Sequence, residues 1–211
     1  MLFRSTTTAT GTAATVDLGL TVTPVTPDSQ TPSDAWTNSS KVMVPQLDAG
    51  LGTAMNSSNG CIDGNGNVVC RVYKIEIENK STSSVRLRGA VYFTINGTFN
   101  NLYWRQTTNA NTLGNNKVYK YSTAETTNST TADAANSTLI ADLLLNPADG
   151  TDGSGQDYAV YYVVVWIREL GNVDQGVNAT TTNKDQGTWT MNVSFKDKVN
   201  PTKGVTSTIT S

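Results

Sequence analysis

Residues 158–167 read YAVYYVVVWI, ten consecutive apolar or aromatic positions dense in β-branched side chains. Such a run suits a central strand covered on both faces, because neither face offers a polar edge to water. It is about half the length needed to cross a bilayer as a helix. Outward from it lie segments of period two, the signature of strands with one buried face. Tyr73, Ile75 and Ile77 alternate with Lys74, Glu76 and Glu78; Val85, Leu87, Val91, Phe93 and Ile95 oppose Arg86, Arg88 and Thr94. Near the other end, Trp189, Met191, Val193 and Phe195 alternate with Thr188, Thr190, Asn192 and Ser194.

The punctuation between these runs completes the expected fold. Gly89 is expected to mark a bulge or a close backbone approach, and Asn96-Gly97 a turn. Ser137 to Leu145 begins with an N-cap residue and is stopped by Pro147, which predicts one short helix. Thr107–Asn116 and Ser122–Ala135 are long polar stretches, expected to be surface loops. The sum is all-β: a jelly-roll-like β-sandwich with long loops and a short helix. At 211 residues one sandwich domain is expected over 27–211, preceded by an N-terminal extension over 1–26.

Composition narrows function. Charged residues make up 15% and the net charge is −2, with Lys and Arg scattered, so no basic patch invites nucleic acid or an anionic membrane. The polarity comes from Thr, Asn, Ser and Gly, which fits a β-rich extracellular surface rather than charge-driven disorder. Histidine is absent, which removes the commonest general base and zinc ligand together. The two cysteines stand in CIDGNGNVVC, where Asp63–Asn67 predicts a tight turn that brings Cys61 and Cys70 together. A disulfide is the expected pairing, two buried thiols the alternative, and a disulfide implies an oxidising compartment. Eight Asn-X-Ser/Thr triplets begin at Asn38, Asn56, Asn79, Asn96, Asn128, Asn136, Asn178 and Asn192. They are possible glycosylation sites in a secreted chain, with Asn192 on the outward face of its strand. Met1–Arg4 lacks the apolar core of a signal peptide, so residue 1 is expected at or past a processing point.

The stretch TAATVDLGLTV, Thr12 to Val22, carries Val16, Leu18, Leu20 and Val22 on one face. It runs into Thr23-Pro24-Val25-Thr26-Pro27 without a tight turn back to a neighbour. An apolar strand near a terminus without a partner in its own chain is a template for pairing with another.

Candidate chemistry is sparse. Asp149, Asp152 and Asp157 lie in a glycine-rich loop and offer carboxylate oxygens to calcium, at spacings unlike a helix-loop-helix site; the principal expectation is no metal and no cofactor. Asp63, Asn65 and Asn67 imitate the start of such a site, but Val68 stands where glycine is needed. Tyr103-Trp104-Arg105 could form a sugar-stacking platform or core aromatics. No nucleophile has an activating base, and the phosphate-loop, dinucleotide and HExxH patterns are missing, so an enzyme is not expected.

Several segments are similar to the camelysin/TasA family of secreted β proteins: TATGTAATVDLGLTV at the start, VYKIEIENKS, and WIRELGNVDQG followed by TWTMNVSF. The resemblance covers roughly residues 10–25, 70–95 and 158–196. It implies a jelly-roll subunit of extracellular filaments, biofilm matrix fibres or archaeal bundling pili. Each N-terminal strand then inserts into the next subunit's sheet and the partner is a homopolymer of identical subunits, with bundling to other filaments left open. Val16, Leu18, Leu20 and Val22 are the donor positions under that expectation. Metallopeptidase activity, attributed to some relatives, finds no histidine here. The alternative is a monomeric cell-surface or carbohydrate-binding sandwich using Tyr103, Trp104 and the acidic loop, its first strand paired within its own chain.

Overall fold

The computed structural model describes residues 17–25, 42–56, 60–125, 131–150 and 153–210. Among these residues nine strands form two antiparallel sheets: β1 (Leu18–Pro24), β2 (Arg71–Asn79), β3 (Val85–Phe99), β4 (Leu102–Thr107), β5 (Tyr119–Lys120), β6 (Thr138–Leu145), β7 (Tyr158–Ile167), β8 (Asp185–Asp197) and β9 (Gly204–Thr210). The five-stranded sheet runs β1-β2-β7-β4-β5 and the four-stranded sheet β6-β3-β8-β9. The order β2-β7-β4-β5 facing β8-β3-β6 is jelly-roll winding. In an eight-stranded jelly roll the position beside β8 belongs to the strand preceding β2; here β9 takes it, and β1 extends the other sheet instead.

Between the sheets lies one core, with Ile75, Ile77, Val163 and Val165 from one side and Val91, Phe93, Met191 and Phe195 from the other. A second, smaller core sits outside the five-stranded sheet. There the helix α1 (Asp48–Met55) and the Cys61–Cys70 hairpin cover Val72, Tyr103, Val164 and Trp166. This explains the two-faced apolarity of β7. Its second half, Val163 to Ile167, is buried on both sides, whereas Val160 on the outer face of its first half is exposed. That outer face is lined instead by the Lys74–Glu76 ion pair at 2.6 Å and the Tyr158 hydroxyl, which donates to Glu76.

Two local expectations change and a third holds. Ser137–Leu145 is not helical: Ser137 is buried and its carbonyl accepts the N–H of Val91, while Thr138–Leu145 pairs with β3 as an edge strand. A mostly apolar stretch of eight residues, TLIADLLL, satisfies either period, and the open edge of β3 decides it. The described helix is α1, whose sequence DAGLGTAM holds two glycines and so carries little intrinsic signal. Asn96-Gly97 is not a turn either, because β3 continues through it to Phe99 and pairs Gly97 with Gly187 of β8. Gly89 does mark a register shift, and it is also a close approach: a Cβ there would meet Ile140 and Phe195 at 2.8 Å.

Ionised carboxylates brace the outer face of the four-stranded sheet. Burial opposes ionisation of Glu125, but Lys196 Nζ at 2.6 Å and the Ser194 hydroxyl donate to it and hold its carboxyl below the usual glutamate range. A carboxyl depressed in the folded state stabilises above its unfolded value, near 4.5, and that contribution is lost as pH falls through the folded value. Thermal melts from pH 6 to pH 3 should therefore show a shallower loss of Tm for Glu125→Gln than for the parent protein.

Candidate interface at the first strand

Strand β1 has a partner within its own chain, contrary to the expectation from its sequence. It lies antiparallel on β2, with Leu18 opposite Asn79, Leu20 opposite Ile77, Val22 opposite Ile75 and Pro24 opposite Tyr73. Leu20 and Val22 point between the sheets and are 5% and 4% exposed, Leu18 packs against the same core, and Thr21 and Thr23 face water. Val16 lies outside the described residues. The expected alternation is thus present over Leu18–Val22, and the face it buries belongs to the main core.

The seat is simple. β1 forms the edge of the five-stranded sheet, and β9, the edge of the facing sheet, neighbours it on the same side of the sandwich. One end is held by Asp17, whose carbonyl accepts the N–H of Lys80, and the other by the N–H of Val25, which donates to Val72. Beyond that second end, a groove of about 540 Å³ opens among Val42, Arg71, Phe99, Ile167, Val177 and Trp189. Its rim is apolar, with Val42 79% and Val177 67% exposed. The Arg71 Nε within it is buried without a hydrogen-bond partner among the described residues.

The remaining candidate residues fall elsewhere. Trp104 is 1% exposed, its indole N–H donating to the Asn136 carbonyl, and Tyr103 lies under the Arg168 guanidinium at 3.9 Å. Neither ring offers a face to a sugar; of the two expectations, core aromatics describes their placement. Arg168 also joins Asp48 at 2.6 Å and Asp133 at 2.9 Å, which ties α1 to the end of β7. Cys61 and Cys70 form the disulfide, both fully buried, with Cα atoms 5.0 Å apart. Asp63 caps the intervening turn: its carboxylate accepts the N–H groups of Asn67 and Asn65, and these bonds hold its carboxyl below the usual range. The imitation of a calcium loop is therefore a turn whose acid is occupied by its own backbone.

Among the Asn-X-Ser/Thr triplets, Asn96 and Asn178 are exposed and Asn56 is half-buried, while Asn38 and Asn128 lie outside the described residues. Asn79, Asn136 and Asn192 are buried. Asn192 stands on the outward face of β8, as expected, but it is covered rather than open to water, its amide lying 3.2–3.3 Å from Tyr92 O, Thr94 Oγ1 and Thr190 O. Asn79 is a hub that the sequence did not announce: Nδ2 donates to the Ser83 and Asn146 carbonyls and Oδ1 accepts the N–H of Ser81. Gln175, in the stretch WIRELGNVDQG, plays a similar part, donating to Arg168 O and Asp185 Oδ2 and accepting from Leu170 N. Asp152 lies outside the described residues, and among the described residues no group of three or more Cys, Asp or Glu side chains gathers as a metal site. Nor is any described helix long and apolar enough to cross a membrane.

No protein-family model matches the chain, and no curated protein matches it. Among solved structures the chain is similar to a crystal structure of FixG-related protein from Vibrio parahaemolyticus, at 10% identity over 92% of each chain and a TM-score of 0.34. A likeness at that level carries no argument about fold or function.

Proposed function

We propose that the chain is a structural subunit of an extracellular filament, joined head to tail when β1 leaves its own sheet and occupies the equivalent seat on the next subunit. The observation that supports this is the construction of the β1 seat. The strand is an edge element, it completes the core with Leu20 and Val22, and sixteen residues, 26–41, separate its end from the next described segment. Sixteen residues reach up to about 50 Å when extended, far enough to pass from one domain to another. An identical seat on a neighbour offers the same ladder and the same burial, so exchanging the strand is a low-cost route to association. A head-to-tail contact that does not close on itself grows into a filament. The buried disulfide and the Thr/Asn/Ser-rich composition agree with an extracellular polymer, and the camelysin/TasA resemblance points the same way.

One observation favours a different reading, a monomeric surface module: β1 completes its own sheet. A crosslink distinguishes the two. Thr21 and Glu76 are paired across β1 and β2 on the outward face. Introducing Thr21→Cys with Glu76→Cys should give a ladder of covalent multimers on non-reducing gels of assembled material. A single monomeric band, together with a monodisperse 22.5 kDa species in native chromatography, would overturn strand exchange.

A further inference from the structure

The groove beyond the second end of β1 has a counterpart at the opposite end of the sandwich. The strand registers put Pro24, Arg71, Ile167 and Asp185 at one end, and Leu18, Asn79, Asp197 and Gly204 at the other. The groove opens at the first end, and the β8–β9 loop, residues 198–203, projects from the second. At the tip of that loop Val199 is 91% exposed, more than any other large hydrophobic side chain among the described residues. It is held out on a braced turn. The Asp197 carboxylate accepts the N–H groups of Val199 at 2.8 Å and Asn200 at 2.7 Å, and the Asn200 carbonyl accepts the N–H of Lys203 at 2.9 Å. A knob that is already ordered loses little conformational freedom when a partner covers it.

The groove offers what the knob lacks. Val42 and Val177 expose apolar surface at its rim, and Phe99, Ile167 and Trp189 line it. The buried Arg71 Nε has no hydrogen-bond partner among the described residues, and the Val199 carbonyl accepts no backbone N–H among them, so each supplies what the other is missing. Charge agrees. Lys198 and Lys203 flank Val199, while Asp185 lines the groove and Asp174 accepts the N–H of Gly176 at its edge.

Reach agrees as well. A β1 strand seated on a neighbour ends at the neighbour's groove, whereas residue 42 lies at the groove end of its own domain. Residues 26–41 between them span up to about 50 Å, and the 15 residues of β3 also span about 50 Å. The connection is long enough for the donor subunit to stand end to end on its neighbour, with its β8–β9 loop over the groove.

We propose that the β8–β9 loop of one subunit docks in the groove of the next, with Val199 between Val42 and Val177 and its carbonyl on Arg71 Nε. This rests on strand exchange and adds a second joint to it. A knob and a pocket at opposite ends of one molecule make a head-to-tail contact that propagates along a filament.

Mixing full-length Val199→Cys chains with full-length Val177→Cys chains, both substituted at exposed positions, tests the joint. Oxidised assemblies of the mixture should give a covalent dimer on non-reducing gels that neither chain gives alone. Val199→Asp should leave Tm unchanged and raise the protein concentration needed for filaments at least about tenfold, whereas Val199→Ile should assemble like the parent protein. A Thr21→Cys/Glu76→Cys ladder without the mixed dimer, or Val199→Asp filaments at the parent's concentration, would overturn the docking and leave strand exchange standing. Neither ladder nor dimer would overturn both.

Discussion

Deleting residues 1–24 should abolish filaments. Under the proposed strand exchange the loss is expected to be complete, because the same strand would be both the link between subunits and part of the core. Removing it leaves Ile75 and Ile77 beside an open groove where Leu20 and Val22 were seated. The two side chains contribute about 3–6 kcal/mol of burial, and the ladder to β2 is lost with them. The truncated protein is therefore also expected to melt at a lower temperature. A synthetic peptide spanning residues 12–25, TAATVDLGLTVTPV, should bind the truncated chain and restore its Tm, and it should cap rather than extend. Negative-stain microscopy reads the first outcome and thermal melts the second. Normal fibres from the truncated protein would remove β1 from assembly altogether.

Gly97→Ala is expected to be the most damaging single substitution of a surface-exposed residue. Gly97 and Gly187 face each other in the β3–β8 ladder with φ +125° and +135°. A Cβ on Gly97 would lie 2.3 Å from Gln186 O and 2.8 Å from Gly187 Cα, and both obstacles are backbone. The strain of the conformation and the forced separation of two central strands each cost about 1–3 kcal/mol, so a loss of roughly 3–4 kcal/mol is expected. Chemical denaturation should show a lower midpoint. An alanine variant within about 0.5 kcal/mol of the parent would mean that the two strands can part at this point without penalty.

The same glycine pair shows where sequence and structure diverge. Asn-Gly is a strong local turn signal, but here both glycines serve a close approach between strands that are far apart in sequence. Nothing local to Asn96-Gly97 discloses Gly187. The strands around Ile75, Val91, Val163 and Met191 were legible because their periodicity follows from burial on one or both faces. β9, with Thr206, Ser207 and Thr208 at its centre, has no comparable apolar stripe and is a strand because β8 offers an edge. The disulfide was legible from CIDGNGNVVC, since the turn residues and the spacing act together. The alternation of Leu18, Leu20 and Val22 was legible, yet its pairing with β2 of the same chain was not, because the partner strand lies about fifty residues away and leaves no mark on the pattern.

The lengthwise seating of β1 has a mechanical consequence. If the strand is what joins one subunit to the next, tension along the filament pulls it parallel to its own axis. Seven residue pairs with β2 then share the load in shear, whereas a strand peeled from one end would break them one after another. The force passes from β2 into β7, which is clamped on both faces by the two cores and, through α1 and the hairpin, backed by the Cys61–Cys70 bond. A thread built this way yields by losing a whole strand at once, so it should bear load with little stretch until it parts.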